Sequence, residues 1–285
     1  MVDFYCSWCK DLCDSKKALD VIRDSNEFSG IELSNSSNDI DKILASGLKV
    51  SVHNPSRFFK VSLSSPNFIE VITQNPAIIE SCKKASLPFV SFHIGHFSNT
   101  FSKEAIISNT RKNLRFLDRE LNKKILFESL LLPSFLMDSD SEKESALYST
   151  SIEYMKDIIS STNADVLLDV AHTLCSASTR IRSNNYKGTE KDYFLDVLNV
   201  VSKNIFEVHI NSPLYTKAEG YIDKHFAFKA NEVPSKTVFE CTSEVLAVSP
   251  NLKSITLEIE PHLEPVKHAK IMVKQAKLVR KKLNL

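Results

Sequence analysis

The feature that most constrains the fold is a regular alternation of short apolar runs with stretches of helical periodicity. Short apolar runs bounded by turn residues predict buried β-strands, and apolar residues three or four positions apart predict amphipathic helices. The eight predicted strands are 4–6, 30–34, 48–53, 89–93, 124–128, 166–172, 205–209 and 254–260. The predicted helices are 15–24, 40–45, 68–84, 103–122, 152–159, 192–201, 238–248 and 266–282, and 211–236 is predicted to be a longer loop. This alternation favours a single (β/α)8 TIM barrel that spans residues 1–285.

Most of the predicted strands carry a histidine or a carboxylate at or near their carboxyl end. These residues are His53, His93, Glu128, Asp169, His209 and Glu258, and the adjoining loops add His172, Asp223 and His225. In a TIM barrel the carboxyl ends of all strands meet at one mouth. We therefore expect the nine side chains to lie close together, although any one of them could instead cap a helix or be a polar surface residue.

The predicted mouth gathers imidazoles with four carboxylates. Carboxylates brought together repel each other and lose their hydration, and divalent cations between them remove both penalties. Nitrogen and oxygen ligands without sulfur suit iron, manganese or zinc, and the spacing does not choose among these metals. Because nine ligands are too many for one ion, the sequence predicts a centre of more than one divalent cation.

Composition and motifs exclude several other classes of protein. Only five glycines occur, so dinucleotide-binding and P-loop fingerprints are excluded. The net charge of +1 gives no global field for nucleic acid or membranes. With no signal peptide and no apolar run long enough to span a bilayer, we expect a cytoplasmic protein without a membrane partner. Its six cysteines are expected to be reduced, and the Cys6, Cys9 and Cys13 spacing indicates buried or incidental thiols rather than a metal site.

Several segments match a known pattern when they are taken in order. They are 48–53 with 61–65, 90–93, 126–129, 167–172, 207–209 with 221–225, and 256–260. Together they resemble the xylose isomerase-like TIM-barrel superfamily, and within it the multinuclear non-haem iron-dependent oxidative enzymes. The chain departs from that family at Phe92, where an acidic residue is usual, and at Ala171 and His172, where asparagines are usual.

The resemblance implies an O₂-using enzyme with two or three irons that modifies cysteine residues of a ribosomally made peptide. It also implies a partner protein that presents the peptide. Among the metal ligands, Glu128, Asp169 and Glu258 would be catalytic, with Glu128 and Glu258 as bridging ligands, and Asp223 and His225 would complete a third metal site. Ser91, Asn211 and His96 would support the ligands, or be plain structural residues.

A second resemblance is to endonuclease IV, which shares the whole ladder of ligands, including the Asp169-x-x-His172 pattern. It implies metal-dependent hydrolysis of a phosphodiester in abasic DNA. This chain lacks the glycine-rich loops usual in that enzyme. DNA would require a basic, aromatic groove at the mouth. The candidates near the strand ends, interpreted first as solvated loop residues, are Arg57, Phe58, Phe59, Lys60, Arg180, Arg182 and Lys187.

Two further alternatives remain open. A single-metal sugar-phosphate isomerase or epimerase would use only Glu128, Asp169, His209 and Glu258. A barrel without catalysis could serve as a binding protein, but the intact set of ligands argues against this alternative.

Overall fold

The computed structural model describes residues 2–8, 15–33, 37–56, 59–94, 102–129, 131–132, 134, 137, 143–260 and 264–285. The strands are β1 (Asp3–Trp8), β2 (Gly30–Leu33), β3 (Lys49–Val52), β4 (Phe89–Ile94), β5 (Lys124–Ser129), β6 (Asp165–Asp169), β7 (Ile205–Ile210), β8 (Ser212–Thr216), β9 (Gly220–Phe226) and β10 (Ser254–Leu257). The helices are α1 (Lys16–Asp24), α2 (Ser37–Ala45), α3 (Phe68–Gln74), α4 (Pro76–Lys84), α5 (Lys103–Leu121), α6 (Lys143–Ser149), α7 (Ile152–Thr162), α8 (Val170–Arg182), α9 (Glu190–Val201), α10 (Val233–Val248) and α11 (Pro265–Leu283).

Eight parallel strands form one curled sheet in the order β3-β2-β1-β10-β7-β6-β5-β4. A parallel bridge between His53 and Ser91 joins β3 to β4. The Asn54 amide also donates to the Ser91 carbonyl over 2.7 Å. The two edges of the sheet therefore meet, which confirms the predicted (β/α)8 barrel.

The barrel interior has an apolar part and a polar part. Successive side chains of a strand point to opposite faces, so every second residue enters the interior. The apolar part is a separate buried cluster of Tyr5, Leu87, Phe89, Leu126 and Leu167. Two residues further along their strands, Glu128 and Asp169 follow Leu126 and Leu167 and are also buried. The polar part therefore lies at the carboxyl ends of the strands.

Strand register aligns the predicted ligands across the sheet. His93 of β4 pairs with Glu128 of β5, and Asp169 of β6 pairs with His209 of β7. Parallel neighbours with aligned ends bring their terminal side chains to the same height. The register alone therefore gathers these residues in one layer.

The prediction of a loop over residues 211–236 is wrong for its first half. Strands β8 and β9 form an antiparallel hairpin there, and α10 begins at Val233. Tyr, Thr, Ile and Phe side chains favour strands, and a glycine between the two runs favours the turn. Gly220 adopts a φ of +74° at the start of β9. These strand and turn residues were visible in the sequence. They were not predicted as strands because no helix lies between the two runs, so the hairpin breaks the alternation of strands and helices.

Other boundaries also differ from the prediction. The predicted helix 68–84 is two helices, because Asn75 precedes Pro76 and the residue before a proline disfavours the helical conformation. The predicted strand 166–172 ends at Asp169, where α8 begins. Helix α8 was not predicted, because its small residues form no clear apolar face and nearly all of them are buried.

None of the helices in the described part of the chain is long and apolar enough to cross a membrane.

Candidate metal centre

All nine predicted side chains meet at the mouth of the barrel. His53 follows β3, His93 lies in β4, Glu128 in β5, Asp169 ends β6, His172 lies in the first turn of α8, His209 lies in β7, Asp223 and His225 lie in β9, and Glu258 follows β10. They form overlapping groups in which the ligand atoms lie within 4.8 Å of one another. Their role as metal ligands stays a prediction, but their convergence is a property of the fold.

The first group is His53, His93 and Glu128. The Nε2 atoms of the two histidines lie 3.0 Å apart. Both lie close to Oε2 of Glu128, at 3.3 Å from His53 and 2.9 Å from His93. Ser91 Oγ lies 2.9 Å from Nδ1 of His53, so Nε2 is the nitrogen that His53 presents to the group. Two imidazole nitrogens and a carboxylate oxygen thus converge on one small space.

The central group is Asp169, His209 and Glu258. Nδ1 of His209 lies 3.3 Å from Oε1 of Glu258. Oδ1 of Asp169 accepts a hydrogen bond from the His172 amide over 2.7 Å and so caps α8. Its other oxygen, Oδ2, is buried and makes no hydrogen bond. Asp169 therefore starts a helix with one oxygen and keeps the other for the mouth.

The third group is His172, Asp223 and His225. Oδ2 of Asp223 lies 3.4 Å from Nε2 of His172 and 2.8 Å from Nε2 of His225. Nδ1 of His172 also lies 2.9 Å from Oε1 of Glu128, which links this group to the first. His225 has a φ of +46°, a left-handed conformation that L-residues other than asparagine adopt rarely.

The hairpin that carries Asp223 and His225 is tied to neighbouring helices. Arg182 of α8 donates to the carbonyls of Ala218 and Lys217 in the turn, over 2.8 and 3.0 Å. The Tyr221 amide donates to Ser178 Oγ over 2.9 Å. The third group is therefore held over the mouth by a fixed element.

Several ligand atoms in the mouth are buried without a hydrogen bond. Among the described residues these are both carboxylate oxygens of Glu128, Asp169 Oδ2, His172 Nδ1, His209 Nδ1 and Asp223 Oδ1. The two oxygens of Glu128 lie 2.9 Å from His172 Nδ1 and His93 Nε2 but make no aligned hydrogen bond to them. A buried polar atom without a hydrogen bond costs about 1–3 kcal/mol. Divalent cations would satisfy all of these lone pairs, so the residues present fit the predicted metal centre.

The charges of the mouth respond to burial and to each other. Burial lowers the pKa of His53 to about 3, so its ring is neutral at neutral pH and can act as a ligand. Burial raises the pKa of Asp169 to about 7, although His172 opposes this. Burial also acts to raise the pKa of Glu128, but His93 and His53 outweigh it and hold that pKa well below its usual range. The charge state of Glu128 therefore depends on the imidazoles packed around it.

Sequence reasoning missed Glu32 of β2. Its side chain is 1% exposed, and its carboxylate lies 3.2 Å from Nε2 of His209. A single acidic residue in the otherwise apolar run 30–33 was the available signal. A charged residue is almost never fully buried unless it has a partner.

Arg180 and Arg182 lie in α8 rather than in a loop, and of the two only Arg182 is exposed to solvent as predicted. Arg180 is buried and donates to the Leu147 carbonyl and to Thr150 Oγ1 over 2.6 and 2.9 Å. Arg182 holds the hairpin turn. Lys60 and Lys187 are exposed, as is Phe59, whereas Arg57 and Phe58 lie outside the described residues.

The other residues singled out in the sequence are the three expected to support the ligands and the three N-terminal cysteines. Ser91 contacts His53, and Asn211 is fully buried with neither side-chain polar atom in a hydrogen bond. Cys6 is buried in β1. His96, Cys9 and Cys13 lie outside the described residues.

The chain resembles known proteins in its structure but not in its sequence. No family model and no curated protein matches the chain. The IOLI protein with a bound zinc atom superposes with a TM-score of 0.66 at 14% identity, over 99% of this chain and 98% of that one. A xylose isomerase domain protein from Planctomyces limnophilus gives 0.59 at 13% identity, over 99% and 97%. Endonuclease IV from Thermus thermophilus gives 0.58 at 13% identity, over 97% and 99%. These likenesses show that the chain has the xylose isomerase-like TIM-barrel fold.

Proposed function

We propose that this protein is a three-metal phosphodiesterase that hydrolyses the backbone of abasic DNA. The observation that carries the proposal is the set of three adjoining ligand groups at one mouth. These three groups contain the full set of nine ligands by which the sequence resembles endonuclease IV. The likeness of the whole barrel to a solved endonuclease IV supports the same proposal.

Each ligand group would hold one divalent cation. His53, His93 and Glu128 would hold the first, Asp169, His209 and Glu258 the second, and His172, Asp223 and His225 the third. Glu128 also lies with Asp169 and His172 in an overlapping group, so it would bridge neighbouring ions. Bound divalent cations would polarise a phosphodiester and supply hydroxide at neutral pH. Zinc fits this set of imidazole and carboxylate ligands.

The protein's own side chains leave the centre open on one side. The His93 and His225 side chains are 23% and 31% exposed, whereas the His209 side chain is fully buried. A phosphate could therefore approach between the first and third groups. The fixed hairpin would orient the substrate there, since Asp223 and His225 face the same opening.

Beside His225 lies a cleft of about 760 Å³ that could receive the flanking nucleotides. Exposed Leu214, Tyr215 and Phe226 from the hairpin line it. Its charged lining is Lys229, which pairs with Glu232 over 2.9 Å, and Glu260. Bases of any sequence stack on aromatic side chains, so Tyr215 and Phe226 carry this assignment. Large apolar side chains exposed together commonly mark a binding surface. We assign this hairpin face to the DNA strand.

Two alternatives fit the centre less completely. A single-metal isomerase would use four of the nine ligands and would leave the third group without a role. The oxidative enzyme with two or three irons, a peptide substrate and a presenting partner stays a prediction, as does the cytoplasmic location. The departure at His172 favours the nuclease, because His172 completes the third group.

Metal analysis combined with two activity assays tests the proposal. We expect about three zinc ions per chain after purification, and cleavage of a duplex with one abasic analogue but not of the intact duplex. Two or more irons with thiol-peptide-dependent O₂ uptake and no DNA cleavage would instead establish the oxidative enzyme. One manganese with sugar-phosphate turnover would establish the isomerase.

A further inference from the structure

Glu32 is the buried carboxylate of the mouth that the proposed ligand sets do not use. It lies in β2 and its side chain is 1% exposed. Ser51 Oγ lies 3.5 Å from its Oε2. Its shortest polar contact is with the ring of His209, at 3.2 Å.

His209 lies between two carboxylates, one at each ring nitrogen. Its Nε2 lies 3.2 Å from Oε1 and 3.2 Å from Oε2 of Glu32. Its Nδ1 lies 3.3 Å from Glu258 Oε1 and makes no hydrogen bond. A neutral imidazole carries one proton, on one of its two nitrogens. The protonated nitrogen donates a hydrogen bond, and the other nitrogen can then bind a metal. With the proton on Nε2 toward Glu32, Nδ1 faces the central group.

Glu32 could in principle ligate an ion of its own, because it lies within 4.8 Å of His53 and His209 ligand atoms. That ion would need His53 as well. Nε2 of His53 already faces His93 at 3.0 Å, and its Nδ1 contacts Ser91 at 2.9 Å. A cation on Glu32 would therefore compete with the first and central groups for their histidines.

We propose that Glu32 is a positioning residue: it accepts a hydrogen bond from the Nε2–H of His209, fixes the ring and its tautomer, and so sets the metal affinity of the central site. Carboxylates that hold a metal-binding histidine in this way typically change metal affinity about 10- to 100-fold. The inference rests on the metal centre of the proposed function, but not on its DNA chemistry.

Zinc binding by Glu32→Ala and Glu32→Gln tests this role, with Glu207→Gln as the matched control. Glu207 is fully buried in the same barrel but accepts hydrogen bonds from Ser254 and Thr256, each over 3.1 Å. Zinc per chain is measured after dialysis against chelators of increasing strength. Melting temperatures with and without zinc are measured in parallel.

We expect Glu32→Ala to weaken one zinc site about 10- to 100-fold and to keep the other two. Glu32→Gln should retain part of the zinc affinity, because its amide oxygen still accepts a hydrogen bond from the Nε2–H of His209. It also changes the shape least, so it provides the test if the alanine variant does not fold. Glu207→Gln should bind zinc as the unaltered protein does.

Wild-type affinity at all three sites in Glu32→Gln and Glu32→Ala would overturn the positioning role. So would four zincs in the unaltered protein and three in the variants, since Glu32 would then be a ligand. Because no DNA is used, an unaltered protein that binds three zincs without cleaving DNA refutes the nuclease and leaves the role of Glu32 intact.

Discussion

At the scale of the residue, Asp169 shows how one side chain serves both fold and site. Its Oδ1 caps α8 through the His172 amide, and its buried Oδ2 faces the mouth without a hydrogen bond. Helix capping was the ordinary explanation for an aspartate at this position, and metal binding was the functional one. The geometry supports both at once, because a carboxylate has two oxygens.

The two roles of Asp169 can be separated by substitution. Asp169→Asn keeps an oxygen for the cap, so its free energy of unfolding without metal should change little. Asp169→Ala should lose about 1 kcal/mol of that free energy, because the cap is lost. Both variants should lose zinc affinity at the central site by at least about 10- to 100-fold, the loss that removal of a supporting carboxylate causes, and DNA cleavage should fall with it. Equal loss of stability in both variants by urea denaturation would contradict the division of roles.

Zinc affinity should rise as pH rises. Burial raises the pKa of Asp169 to about 7, and although burial opposes it, Asp223 and Glu258 raise the pKa of His225 to about 9. Both groups must lose a proton to bind metal, so binding releases protons and is favoured at higher pH. Competition with a chelator between about pH 5.5 and about pH 8 should show this increase. An affinity independent of pH would be inconsistent with these ligands.

At the scale of the element, the hairpin β8–β9 carries two of the three side chains on which the proposed third metal site depends. Its turn contacts α8, and its second strand carries Asp223 and His225. The barrel strands were predicted because apolar runs alternate with helices. The hairpin was not, because it interrupts that alternation, and Glu32 was not, because no neighbouring residue in the sequence reveals its contact with His209.

Gly220→Ala should displace the hairpin and release the third metal. Gly220 has a φ of +74°, and an added Cβ would lie 2.5 Å from Ser178 Oγ. Gly47→Ala is the control, because Gly47 has a φ of +85° but nothing within 4 Å of an added Cβ. Each substitution should cost about 1–2 kcal/mol for the left-handed conformation. Only Gly220→Ala should reduce the zinc count by one, and an unchanged count would argue against a fixed hairpin.

Tyr215→Ala and Phe226→Ala should weaken binding of abasic DNA. Loss of one stacked base costs about 1–3 kcal/mol, which corresponds to about 5- to 150-fold in affinity. Val248→Ala is the control, because Val248 is exposed but lies at the far end of α10. Fluorescence anisotropy with metal-loaded protein measures the change. If all three substitutions changed the affinity equally, the hairpin face would not be part of the DNA-binding surface.

At the scale of the whole molecule, closure of the barrel is what creates the centre. The bridge between His53 and Ser91 joins the two edges of the sheet, so His53 reaches His93 and Glu128. The identity of the strand-end residues and the fold were predictable from the sequence, since the TIM barrel brings strand ends together. The division of nine ligands into three groups was not, because it depends on side-chain directions and on the hairpin.

Anomalous X-ray diffraction from crystals of the metal-loaded protein tests the central claim most directly. We predict three separate peaks at the mouth, one in each ligand group: His53 with His93 and Glu128, Asp169 with His209 and Glu258, and His172 with Asp223 and His225. A single peak held only by Glu128, Asp169, His209 and Glu258, or no peak at the mouth, would contradict the three-metal centre.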